Sequence, residues 1–137
     1  MVPFRRLLAA LLATALVLGG CVASPTASGA LGLEQPPPGL DPASPGLRAQ
    51  NIAFDRAQVG VPALRPFVLI LQNLDGSAPH NVSIYADPQF QRRVFEGKVV
   101  DGGRTIWYPV GALTPGQYFF QCDVHPIPSM QGTIQAL

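Results

Sequence analysis

From Leu47 to the C-terminus the sequence never runs far without a turn signal: "NLDGSAP" (Asn73 to Pro79), "VVDGG" (Val99 to Gly103) and "LTPG" (Leu113 to Gly116) cut it into short pieces. No piece sustains a 3.6-residue apolar period over the length an amphipathic helix needs to bury a face. What is left are β-type runs: Asn51 to Asp55, Phe67 to Asn73, His80 to Tyr85, Arg104 to Val110, Gln117 to Cys122 and Gly132 to Ala136. The segment "RRVFEG" (Arg92 to Gly97) fits either an irregular strand or one helical turn. Phe67 to Leu71 is apolar throughout, as in a strand at the centre of a core, whereas "HNVSIY" alternates Val82 and Ile84 against Ser83 and Tyr85. Short strands, frequent turns and no helix predict an all-β fold, a β-sandwich.

The first 46 residues have a different character. "MVPFRRLLAALLATALVLGGC" has two arginines, an apolar run from Leu7 to Leu18 and small residues before Cys21, the layout of an export signal whose apolar run is short for a bilayer span. The tail "LGGC" resembles the lipobox of bacterial lipoproteins, which implies that Cys21 is lipidated and anchors the mature chain to a membrane. Cleavage further on would instead discard Cys21, and a disulfide with Cys122 is the third alternative. Val22 to Gly46 is rich in Pro, Ala, Ser and Gly and reads as a tether. The expected division is a signal at 1–20, a lipidated cysteine and tether at 21–46 and a domain at 47–137.

A chain of 137 residues with formal net charge +1 and scattered basic residues carries no electrostatic footprint for nucleic acid. The chemistry is concentrated in "YFFQCDVHPIPSMQG" (Tyr118 to Gly132). A period of two places Tyr118, Phe120 and Cys122 on one strand face, and Pro126 and Pro128 end the strand. The following loop carries His125 and Met130 past its end. Beyond Met1 and Cys21 the chain has one cysteine, two histidines and one methionine: Cys122, His80, His125 and Met130. Thiolate, thioether and imidazole together suit copper in both oxidation states. Zinc accepts the same donors, although its structural sites seldom use methionine. Each residue alone has a plain packing role. As loop carboxylates, Asp87 and Asp123 are expected to be solvated.

The segments "PHNVSIY" and "LTPGQYFFQCDVHPIPSMQG" resemble the two ligand regions of the cupredoxins, the blue copper proteins that include plastocyanin and pseudoazurin, over Gln50 to Leu137. The resemblance implies a Greek-key β-sandwich of about seven or eight strands holding one copper ion. His80 and His125 would be its imidazole ligands, Cys122 its thiolate and Met130 its axial thioether. Asn81 would tie the two ligand segments together near the sulfur.

The expected function is that of a membrane-tethered, extracytoplasmic one-electron carrier rather than an enzyme. Its partners would be redox proteins, such as respiratory or photosynthetic complexes, met at an apolar collar of Pro126, Ile127 and Pro128 around His125. Copper transport to an enzyme under assembly is the alternative, and a sandwich serving only as an interaction module is the third.

Overall fold

The computed structural model describes residues 30–137; the signal at 1–20, Cys21 and the first part of the 21–46 segment lie outside the described residues. Eight strands follow one another: β1 (Gly46–Ala49), β2 (Gln58–Val61), β3 (Phe67–Asn73), β4 (Ser83–Tyr85), β5 (Arg93–Phe95), β6 (Thr105–Val110), β7 (Gly116–Gln121) and β8 (Gln131–Ala136). They form two sheets, one ordered β1-β3-β6 and the other β2-β8-β7-β4-β5. The β1–β3 and β2–β8 pairs are parallel and the others antiparallel. Among the described residues, the one helical piece is a 3₁₀ turn at Pro128–Met130. No helix there is long and apolar enough to cross a membrane.

Alternation along the strands builds the core. In β3, Phe67, Leu69 and Leu71 are buried while Val68, Ile70 and Gln72 on the other face are half-buried. Ile106, Tyr108 and Val110 of β6 are buried beside them, and Ile84, Phe120 and Ile134 answer from the larger sheet. The Phe95 and Tyr108 rings meet edge to face, with centroids 5.7 Å apart, and join one sheet to the other. Each large apolar side chain fully withdrawn from water stabilises the fold by about 1.5–3 kcal/mol, so this interior is what holds the sandwich shut.

Two segments depart from the expectations. Asn51 to Asp55 is not a strand: Asn51 and Ile52 have φ of 54° and 53°, the left-handed region that breaks a strand. Their N–H groups both donate to the Asp75 carboxylate. The strands on either side, β1 and β2, alternate in burial but have four residues each, too few for the period to stand out in the sequence. "HNVSIY" becomes a strand only at Ser83–Tyr85, where all three residues are buried, because its polar face is covered too.

Part of the segment read as a tether is bound to the sandwich. Leu31 pairs with the chain at Glu96 and Lys98, and Leu33 exchanges two backbone hydrogen bonds with Trp107. Gly32 passes so close to Ile106 that a Cβ would collide with its side chain. Glu34 then reaches Lys98 at 3.0 Å and Arg104 at 3.6 Å. Residues 31–34 therefore close the side of the sandwich where β5 and β6 are the edge strands.

Candidate metal centre

β7 and β8 form a hairpin whose register sets Gln121 opposite Gln131. The nine residues Cys122 to Met130 between them make its loop, closed at the neck by the Cys122 N–H donating to the Met130 carbonyl at 3.0 Å. Inside the loop, Ile127 N–H donates to the His125 carbonyl and Met130 N–H to the Ile127 carbonyl, both at 2.8 Å. Proline at 126 and 128 has no N–H to leave unpaired there. Cys122 and Met130 are fully buried at the two ends of the loop. His125 is half-buried, and Pro126, Ile127 and Pro128 are exposed.

His80 comes from the other side, in the connection 74–82 between β3 and β4, five residues after Asp75. It is fully buried and exchanges two backbone hydrogen bonds with Val100. Asn73, at the end of β3, fixes the turn before it: its amide donates to the carbonyls of Ala78 and Val100, and its Oδ1 accepts the Asp75 N–H. The His80 Nε2 lies 2.7 Å from Asp75 Oδ2. That hydrogen bond, supported by the N–H groups of Ile52 and Asn51, holds the Asp75 carboxyl below the usual carboxylate range against the opposing effect of burial.

The structure brings His80, Cys122 and His125 together, with their donor atoms all within 4.8 Å of one another. Cys122 Sγ is 3.8 Å from His80 Nδ1 and 3.9 Å from His125 Nδ1. These separations are long for hydrogen bonds. Metal–donor bonds of about 2.0–2.3 Å would place an imidazole nitrogen and a thiolate sulfur roughly 3.5–3.7 Å apart on one ion, within a few tenths of the observed 3.8 and 3.9 Å. The donor set and its spacing fit a transition metal. The two imidazoles, with centroids 4.9 Å apart and tilted by 59°, converge on the sulfur rather than stacking.

Asn81 joins the two ligand segments. Its Oδ1 accepts the Asp123 N–H at 2.7 Å, while its Nδ2 donates to Asp123 Oδ2 at 3.1 Å and to the Gly97 carbonyl at 2.9 Å. Neither Asp123 nor Asp87 is the solvated carboxylate expected. Asp123 is half-buried and accepts from the Ser83 and Tyr85 hydroxyls as well. Burial opposes its charge, but the bonds from Ser83, Tyr85 and Asn81 outweigh it and keep its carboxyl below the ordinary range. Asp87 accepts the N–H groups of Gln89, Gln91 and Arg92. Asp75, Asn73 and Ser83 were not among the expected site residues. Asp75 lies in a stretch that reads only as a turn signal, Asn73 where that stretch overlaps the end of an expected strand, and Ser83 in a stretch that reads as a solvent-facing strand position.

A model of the cupredoxin-like domain matches residues 43–136. No curated protein sequence shows significant similarity to the chain. Among solved structures, auracyanin from Roseiflexus castenholzii superposes with a TM-score of 0.59 at 18% identity, over 72% of this chain and 99% of its own. Auracyanin A, a blue copper protein from Chloroflexus aurantiacus, gives 0.58 at 18% identity over 69% and 98%. Amicyanin from Paracoccus versutus gives 0.50 at 15% identity over 72% and 86%. At such identities the superpositions establish the fold, and the family match over most of the described residues agrees with it. By fold and by sequence model, this chain belongs to the cupredoxin-like domain family.

Proposed function

We propose that the protein is a one-electron carrier whose copper ion is held by His80, Cys122 and His125, with Met130 as a fourth, weaker ligand. The observation that supports this most is the convergence of one thiol and one ring nitrogen from each of two imidazoles within 4.8 Å. Copper bound by such donors supplies exchange of a single electron between its +1 and +2 states. The rest of the work belongs to the chain. Cys122 gives up its proton on loading, and its burial keeps water and oxidants from the sulfur. His80 and Asn81, locked into the β3–β4 connection, keep the donors from spreading when the charge changes. His125, half-buried beside exposed Pro126 and Ile127, offers the short way out to a partner.

A redox protein that docks on the Pro126, Ile127 and Pro128 collar would leave quickly after transfer, since small apolar contacts favour short-lived complexes. The auracyanins superposed above come from photosynthetic bacteria, and the class of partner proposed here is a membrane-bound electron-transfer complex. The signal and "LGGC" at the N-terminus support an extracytoplasmic, lipid-anchored location. Intact mass of the chain recovered from membranes tests the anchor: a diacylated Cys21 is expected, and a mature chain starting beyond it would refute lipidation.

Electron transfer and copper delivery separate in one experiment. The copper-loaded protein is reduced, exposed to a strong Cu(I) chelator and reoxidised. Full return of the oxidised spectrum with copper retained is expected of a carrier, and rapid loss of Cu(I) would replace this reading with delivery.

A further inference from the structure

Among the described residues, Asp75 is the one acidic side chain hydrogen-bonded to the side chain of a candidate ligand. Its Oδ2 lies 2.7 Å from His80 Nε2, on the edge of the ring opposite Nδ1, which faces Cys122. The Asp75 side chain is 11% exposed and that of His80 is 0% exposed, so water competes little for this bond. Within 4.0 Å, no lysine or arginine among the described residues pairs with Asp75; its side-chain partner is the His80 ring, through a hydrogen bond. The carboxylate is itself oriented, because Asn51 and Ile52 donate their N–H groups to it and the Asp75 N–H is held by Asn73 Oδ1.

We propose that Asp75 is a positioning residue that sets both the tautomer of His80 and the balance between the two oxidation states of the metal. The inference rests on the copper reading above. An ionised carboxylate accepts only, so His80 must carry its proton on Nε2 and offer the Nδ1 lone pair to the site. The hydrogen bond also makes the imidazole a stronger donor. A buried negative charge one ring away from the ion favours the more highly charged state. Both effects stabilise Cu(II) over Cu(I), so Asp75 holds the reduction potential down.

A purely structural role is the competing explanation: Asp75 pins the left-handed turn at Asn51 and Ile52, which abuts the metal loop through Ser129 Oγ donating to the Ile52 carbonyl at 2.9 Å. Asp75→Asn separates the two, since the amide oxygen can still accept from His80 or the turn while the charge is gone. The copper-loaded variant should keep a thiolate-to-copper band and show about a tenfold shift toward Cu(I), a rise of about 59 mV in potential for one electron. An unchanged potential, or a lower one, would overturn the charge effect.

The second measurement needs neither copper nor a folded variant. Long-range proton–nitrogen NMR on the metal-free wild-type chain, above the pH at which the imidazole is protonated, should show His80 in the Nε2–H form. An Nδ1–H form would overturn the positioning role. Should the wild-type chain show no thiolate-to-copper band, the copper reading falls by itself, and the NMR result still decides what Asp75 does to His80.

Discussion

The two regions that meet at the site are built in opposite ways. The Cys122–Met130 loop brings two of the three clustered donors on nine consecutive residues, and its internal order comes from backbone bonds and two prolines; its tip is exposed. The His80 region brings one donor and surrounds it with polar side chains from its own stretch of chain, Asn73, Asp75 and Asn81, and through Asn81 with the distant Asp123. Hairpin register alone can deliver ligands at fixed spacing to a surface. Fixing a buried imidazole needs every polar group around it to be paired, since each one left unpaired costs about 1–3 kcal/mol. One region is suited to meeting partners and the other to holding geometry.

The sharpest way to break this contrast is to remove each imidazole in turn. His80→Gly and His125→Gly should both lose most of the thiolate-to-copper band. Added free imidazole should restore the larger part of it in His125→Gly, where the gap opens toward solvent. It should restore almost none in His80→Gly, which is walled in; equal rescue of both would erase the distinction. Next in size is Asn81→Ala, which strips partners from the Asp123 N–H and the Gly97 carbonyl and should destabilise the metal-free fold by about 2–4 kcal/mol in denaturant unfolding. A loss under about 0.5 kcal/mol, the scale of an ordinary surface substitution, would show that the ligand segments do not depend on the tie.

Ile127→Asp tests the other side. With Ile127 42% exposed, the change should alter stability by less than about 0.5 kcal/mol and leave the copper spectrum intact, yet slow transfer to a membrane redox partner several-fold. Unaltered rates with every partner tried would remove the collar from the account. The smallest expected effect concerns acid stability outside the site. The Arg92, Gln91 and Gln89 N–H groups keep Asp87 charged below the usual range, with the Arg92 bond the largest contribution and burial opposing it. A depressed folded pKa gives stability that is complete above the unfolded value of about 3.9 and fades as pH falls through the folded one. Asp87→Asn should therefore narrow the stability gap with wild type as pH drops below about 4, and a constant gap across that range would contradict it.

The same contrast explains what could be read from the sequence. Phe67 to Asn73, Gln117 to Cys122 and the all-β class were legible because an unbroken apolar run, alternation and turn residues are local signals. The clustering of Cys122 with His125 follows from a loop between two readable strands, and His80 was reachable because so few imidazoles exist in the chain. Asp75 was not reachable: it lies five residues from His80 in a segment whose composition says only that the chain turns. The covering of Ser83 and Tyr85 by Asp123 was hidden for a similar reason, since the partner sits about 40 residues away and pairing of that kind leaves no period. Residues 31–34 look like tether because their attachment is made by backbone bonds and one ion-pair cluster, which composition does not reveal.

The central claim is that His80, Cys122 and His125 together hold one copper ion through a thiolate. The direct test is the visible absorption of the chain titrated with Cu(II), beside Cys122→Ser treated in the same way. An intense blue band that saturates at one equivalent, bleaches on reduction, returns on reoxidation and is absent from Cys122→Ser is the predicted result. A colourless wild-type complex, or a band that survives the loss of the sulfur, would contradict it.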